Sequence, residues 1–144
     1  MIKEVEPTKT FIGRFSYGRD LLDELTEICV KKNISLGVIT GIGAVQKAKI
    51  GFYDQKLQKY SFLTFDYPME ITSLVGNVSL KDKKQFVHAH ITLSDKNGKC
   101  FGGHLTKGTI AFAGEFLIQS FFGESLNRYL NKKTGLFLWD LPIK

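Results

Sequence analysis

The chain has 144 residues, 43% of them hydrophobic and 24% charged. That suits one globular domain with a sizeable core and excludes a disordered or fibrous chain. Its formal charge is +6, from 20 Lys and Arg against 14 Asp and Glu, but only three of the basic residues are Arg; contact with a phosphate backbone is therefore open, whereas base reading through the bidentate Arg fork is poorly supplied.

No apolar run reaches the roughly 18 residues of a membrane span. The opening "MIKEVEPTKT" is too polar for a secretion signal. The expectation is a cytoplasmic protein with no membrane partner. In chain order, "FIGRFSYG" alternates apolar and polar residues and predicts a strand. In "RDLLDELTEICVKKN", Leu21, Leu22, Leu25, Ile28 and Cys29 form one helical stripe. Asp20 suits the N-cap, and Lys31 and Lys32 suit the negative end of the helix dipole. "SLGVITGIGAV" reads as a buried strand entering a tight turn at Gly41-Ile42-Gly43. A phosphate-binding loop is disfavoured there, because neither a third glycine nor a helix pattern follows.

The segments "QKAKIGFYD", "KYSFLTF", "MEITSLVGNVSL", "QFVHAHITLS", "KCFGGHLTKG" and "TIAFAGEFLIQSFF" are β-branched and aromatic runs at hairpin spacing. Each predicts a strand. "ESLNRYLNKKTGLFLWDL" is expected to begin as a short helix and end extended. Together these elements predict an α+β fold: one main helix packed on a mainly antiparallel sheet. A single domain is expected over residues 1–144, with its core at about 8–142.

All three histidines, His88, His90 and His104, lie between "FVHAH" and "GGHL". Two residues apart on a strand, His88 and His90 point to one face. Between the two predicted strands, Asp95 suits the first position of a type I turn and Gly98 the fourth. A three-residue loop, Lys96-Asn97-Gly98, with Gly98 left-handed, would pair Asp95 with Lys99 and His90 with His104. All three imidazoles then converge, whereas a loop one residue shorter or longer turns His104 away. Three neutral imidazoles suit one divalent transition metal per chain with a position left open for water or substrate. The arrangement is of the zinc type, but nickel, cobalt, copper and iron also accept imidazole, so the spacing leaves the metal open. A hairpin of hydrogen-bonded or surface histidines is the alternative. Of the two cysteines, Cys29 and Cys100, neither sits in a ligand motif. Cys100 falls about 13 Å along the strand from His104 and is a poor fourth ligand.

Two carboxylates stand in apolar surroundings. Glu115, in "IAFAGEFLI", would be costly if buried and unpaired. It is a candidate to orient a ligating histidine, or to act as acid or base near bound water. A structural hydrogen bond or ion pair is the equal alternative. For Glu70, before "ITSLVGN", the structural role is favoured.

The combination of "GIGAV", "IGFYD", "MEITSLVGN", "HAHITLSDKNGKCFGGHL" and "GEFLI" resembles the plants-and-prokaryotes conserved (PPC) domain, from about Phe11 to the "TGLFLWDL" tail. The resemblance implies an α+β homotrimer. It also implies that His88, His90 and His104 match the histidines that hold a metal, often zinc, in prokaryotic members. In plants the domain is joined to AT-hook motifs in nuclear DNA-binding regulators, where it mediates assembly and partner contacts. This chain contains no Arg-Gly-Arg-Pro core, so the usual minor-groove reader is absent from it. Asn131 also stands where an acidic residue is expected.

Three functions are open on these grounds. The favoured one is a metal-containing homotrimer with a DNA-associated or regulatory role, binding DNA without sequence preference and contacting other regulatory proteins. The second is a metal-dependent enzyme acting on a small keto acid or related substrate, since the three-His arrangement is also similar to that of acetolactate decarboxylase. Arg14, Arg19 and Arg128 are far apart in sequence and form no evident carboxylate clamp. The third is a structural assembly module without catalysis.

Overall fold

The structure, a computed structural model, describes residues 2–141. The expected domain bounds, 1 and 144, and the expected core limit, 142, lie outside the described residues. The first strand, β1 (Glu6–Arg14), leads into α1 (Leu21–Lys31), the one α-helix among the described residues. Asp20 caps that helix as expected, its Oδ1 accepting from the backbone N–H of Leu22 and Asp23 at 3.0 and 3.1 Å. Its Oδ2 accepts from Gly108 N at 2.6 Å, so the same side chain ties the helix start to a distant turn. Leu21, Leu25 and Cys29 form the buried stripe, and burial pushes the Cys29 thiol up to about 12.

The remaining elements are β2 (Gly37–Asp54), β3 (Lys59–Phe65), β4 (Met69–Lys81), β5 (Lys84–Ser94), β6 (Cys100–Leu105), β7 (Ile110–Phe122), β8 (Arg128–Asn131) and β9 (Leu136–Trp139). Seven strands form one antiparallel sheet in the order β1-β7-β2-β4-β5-β6, with β3 also on β2, while β8 and β9 form a separate hairpin. The sheet curls until β6 meets the far half of β2, pairing Ile50 with Leu105 and Gly51 with His104. The core lies on the side covered by α1. There Leu21, Leu25 and Cys29 join Ile39, Leu74, Ile91, Leu93 and Ile118, all fully or nearly fully buried.

Two expectations fail. Gly41-Ile42-Gly43 is no turn: β2 runs through it, with a bulge against β4 between Gly41 and Gly43. The glycines serve close backbone approach. Gly43 has φ 144°, and a Cβ there would collide with the Ala113 carbonyl and the Gly114 Cα of β7. The expected C-terminal short helix is also absent; the residues before β8 are irregular, and β8 pairs with β9 as a hairpin. Arg128 explains the difference, because its buried side chain anchors this segment to β4 and holds it extended against the sheet.

Candidate metal centre

The β5–β6 hairpin has the register that its turn chemistry predicts. Asp95 N–H donates to Lys99 O at 3.0 Å and Gly98 N–H to Asp95 O at 2.9 Å. Gly98 has φ 78°, and Asp95 Oδ1 accepts from Asn97 N at 2.8 Å and Lys99 N at 3.0 Å. His90 consequently pairs with His104. Ring centroids are 5.3 Å apart for His88–His90, 5.0 Å for His88–His104 and 5.5 Å for His90–His104. One nitrogen from each ring lies within 4.8 Å of the others. A tetrahedral metal with bonds of about 2.0–2.1 Å needs those nitrogens roughly 3.3 Å apart, so binding would draw the rings closer together.

The electrostatics fit a cation ligated by neutral imidazoles. Burial lowers His88 to about 4, helped by the Arg128 charge and then by His104 and His90. His104 is lowered by burial, by His90 and by Arg128. Nδ1 of His104 is buried with no hydrogen-bond partner. A buried ring nitrogen without a partner, on a residue of a three-imidazole cluster, is costly for a purely structural arrangement and suits a ligand set. His90 is exposed, so the cluster opens to solvent. Cys100 is exposed and pairs with Ser94, four residues along β6 from His104, and it stays outside the cluster.

Glu115 is not among these residues. Pairing runs from His90 to Val75, from Val75 to Thr40 and from Thr40 to Leu117, two residues from Glu115. The carboxylate therefore shares the histidines' face but stands three strands away, about 14 Å at the usual strand spacing. Both Glu115 and Glu70 are exposed, because alternate positions of their strands face away from the core, so the cost of an unpaired buried carboxylate does not arise at either. Sequence reasoning missed two neighbours of the cluster. The Tyr60 ring lies 5.3 Å from that of His104, and its phenol is raised by burial and by Tyr53. Tyr60 and Phe62 alternate along β3, the only sequence signal for a shared aromatic face. Arg128 reaches the histidines' side from β8, although 24 positions separate it from His104.

A curled antiparallel sheet backed by one helix, with three convergent imidazoles on its uncovered face, defines a small α+β protein with a candidate metal centre. The Plants and Prokaryotes Conserved (PCC) domain matches residues 2–122, and the chain belongs to that family. It is similar to a metal-containing protein from Archaeoglobus fulgidus, with 41% identity, TM-score 0.92 and coverage of 96% of this chain and 98% of that one. It is also similar to a plant- and prokaryote-conserved (PPC) protein from Pyrococcus horikoshii, with 35% identity, TM-score 0.92 and full coverage of both chains. A Bacteroides thetaiotaomicron structure described as a "putative dna binding protein" shares 29% identity at TM-score 0.85, covering 94% of this chain and 96% of that one. Among curated proteins, the bifunctional protein GlmU of Synechococcus sp. is 26% identical over 124 residues, which are 82% of this chain but only 18% of GlmU. The chain thus spans less than a fifth of the length of that relative.

Proposed function

We propose that the chain, as one domain over residues 1–144, holds one divalent transition metal on His88, His90 and His104 and assembles as a homotrimer with a DNA-associated, regulatory role in the cytoplasm. The observation that carries the metal is that one nitrogen from each of the three imidazoles lies within 4.8 Å of the others, on a cluster where Nδ1 of His104 is buried without a partner. Zinc leads because three imidazoles and one open position suit its tetrahedral preference. Self-assembly is supported by the uncovered sheet face, where Ile12 is 81%, Ile42 59% and Val75 57% exposed. Contiguous apolar surface of that kind marks an interaction site. A DNA role rests on the +6 charge and on how the Bacteroides relative is described.

Metal content of tag-free protein, measured beside His90→Ala, tests the site. About one transition metal per wild-type chain, lost in the variant, is expected; an empty wild type that also refuses added zinc overturns it. For the DNA role, affinity for duplex DNA should fall steeply with salt and vary little with sequence. No detectable binding at low salt removes that role and leaves the metal site standing.

The exposure of His90 favours a second reading, a metal-dependent enzyme for a small keto acid, with the three-His topology of acetolactate decarboxylase. A bound metal would supply Lewis acidity. The chain's own part is to hold three neutral imidazoles and to leave one side open. Glu115 would enter either reading only across a subunit boundary. Turnover that survives His104→Ala would exclude this site as its source.

A further inference from the structure

Arg128 is one of two buried charged residues among the described residues, the other being Glu24. It retains 8% exposure, yet its guanidinium is hydrogen-bonded only to neutral acceptors. Nε donates to Ser79 Oγ at 2.8 Å, Nη2 to Asn77 Oδ1 at 2.8 Å and Nη1 to the Phe137 carbonyl at 3.0 Å. Its Cζ lies 5.3 Å from the Phe86 ring centroid and 5.4 Å from that of Trp139. The ion pairs of the described residues are Lys3–Glu124, Arg19–Glu27 and Lys107–Asp23, so Arg128 has no carboxylate partner there. A buried cation without an anion is costly, and three neutral contacts offset only part of that cost.

Its position gives the charge a use. Asn77 pairs with His88, and Ser79 pairs with Phe86, so the two β4 acceptors hold the guanidinium on the histidines' side of the sheet. Through Asn77, the cross-strand neighbour of His88, the Arg128 guanidinium is held beside the histidine cluster. A divalent cation on three neutral imidazoles would add two positive charges beside it. Among the described residues, strands β3, β8 and β9 carry no acid to neutralise them. Strands β5 and β6 carry no acid. On β4, Glu70 stands at the opposite end, paired with Ser94. Asp54 caps the turn after β2 through Lys56 N and Leu57 N. Glu115 is three strands away.

Resting on the metal-centre reading above, we propose that Arg128 is the anchoring cation of an anion site at the three-histidine centre, and that its ligand is a small carboxylate. The Arg128 guanidinium has five N–H groups, of which three are committed, leaving one free on each terminal nitrogen. A planar fork with two free donors matches a carboxylate better than a spherical halide. His90, exposed at the edge of the cluster, provides the way in. The rings of Phe86 and Trp139 fix the guanidinium plane, so little side-chain freedom remains to be lost when the anion binds.

The test uses full-length protein loaded with Co(II), whose visible absorption reports changes at the metal, titrated with acetate. Chloride and acetamide serve as controls. Cobalt content per chain is measured first for the wild type, Arg128→Gln and Arg128→Lys. An unloaded wild type contradicts the metal-centre reading itself and, because the anion site rests on it, overturns this proposal too. With cobalt bound, the wild-type spectrum should shift saturably with acetate and far less with chloride or acetamide. Arg128→Gln should keep its cobalt and bind acetate about tenfold to a hundredfold more weakly, the range expected for a lost charged hydrogen bond. Arg128→Lys, which keeps the charge without the fork, should fall between the two and guards against a mere folding defect. Equal acetate affinity in wild type and Arg128→Gln overturns the proposal. So does acetate binding seen in Glu115→Gln but not in the wild type, since the anion would then be a carboxylate of a second copy.

Discussion

The two faces of the sheet are built on opposite terms. On the side covered by α1, Ile39, Leu74, Leu93 and Ile118 are closed over by Leu21, Leu25 and Cys29. On the other side the same strands present His88, His90, His104 and Glu115 together with exposed Ile12, Ile42 and Val75. That second side also carries an orphaned imidazole nitrogen and, under the β8–β9 hairpin, a guanidinium without a carboxylate. Period-two alternation makes this division possible, because each strand gives one set of side chains to stability and the other to surface chemistry. The covered face explains why the chain folds, and the uncovered one leaves charges and surfaces that call for a partner.

The sharpest way to break the contrast is to substitute one residue from each side. Leu25→Ala, in the covered core, should cost about 2–5 kcal/mol in denaturant unfolding. On the uncovered face, His90→Ala should leave the metal-free protein's stability nearly unchanged and abolish the thermal shift caused by zinc. That shift reflects about 2.7 kcal/mol when zinc is present at roughly 100 times its dissociation constant.

A smaller effect appears with pH in the metal-free protein. His88 titrates at about 4 when folded, against an ordinary value of 6.5. Between those values the unfolded chain binds more protons, so stability is highest above pH 6.5 and falls as pH drops towards 4. His88→Gln should flatten that slope, by about 1–2 kcal/mol after solvent screening. Asp20→Ala, which removes the helix cap and the Gly108 tie, should cost about 1 kcal/mol. Ile12→Ser should change unfolding of the single chain by less than about 0.5 kcal/mol. Sedimentation should nevertheless show weakened self-association, and an unaltered oligomer would mean that this face is not where copies meet.

Features controlled by neighbouring residues were legible in the sequence. The helix showed in its stripe from Leu21 to Cys29, and the hairpin register followed from Asp95 and Gly98. The convergence of His90 with His104 came with that register. Gly41 and Gly43 misled because a turn and a close strand contact place the same demand on a glycine; only the approach of β7 separates them. Arg128 was invisible as a site residue for a different reason. Its acceptors, Asn77 and Ser79, lie about 50 residues earlier, and nothing local to "NRYLN" records that a chain end folds back over β4. The apolar run around Glu115 hid which face it takes; alternation puts Phe116 and Ile118 towards the core and the carboxylate outwards.

The most direct test of the central claim is the X-ray absorption spectrum of zinc-loaded, tag-free protein at one metal per chain. Three imidazole nitrogens at about 2.0–2.1 Å, with one further oxygen or nitrogen, are the predicted surroundings. A sulfur neighbour at about 2.3 Å, or outer scattering without the imidazole pattern, would place the metal away from His88, His90 and His104 and contradict the account.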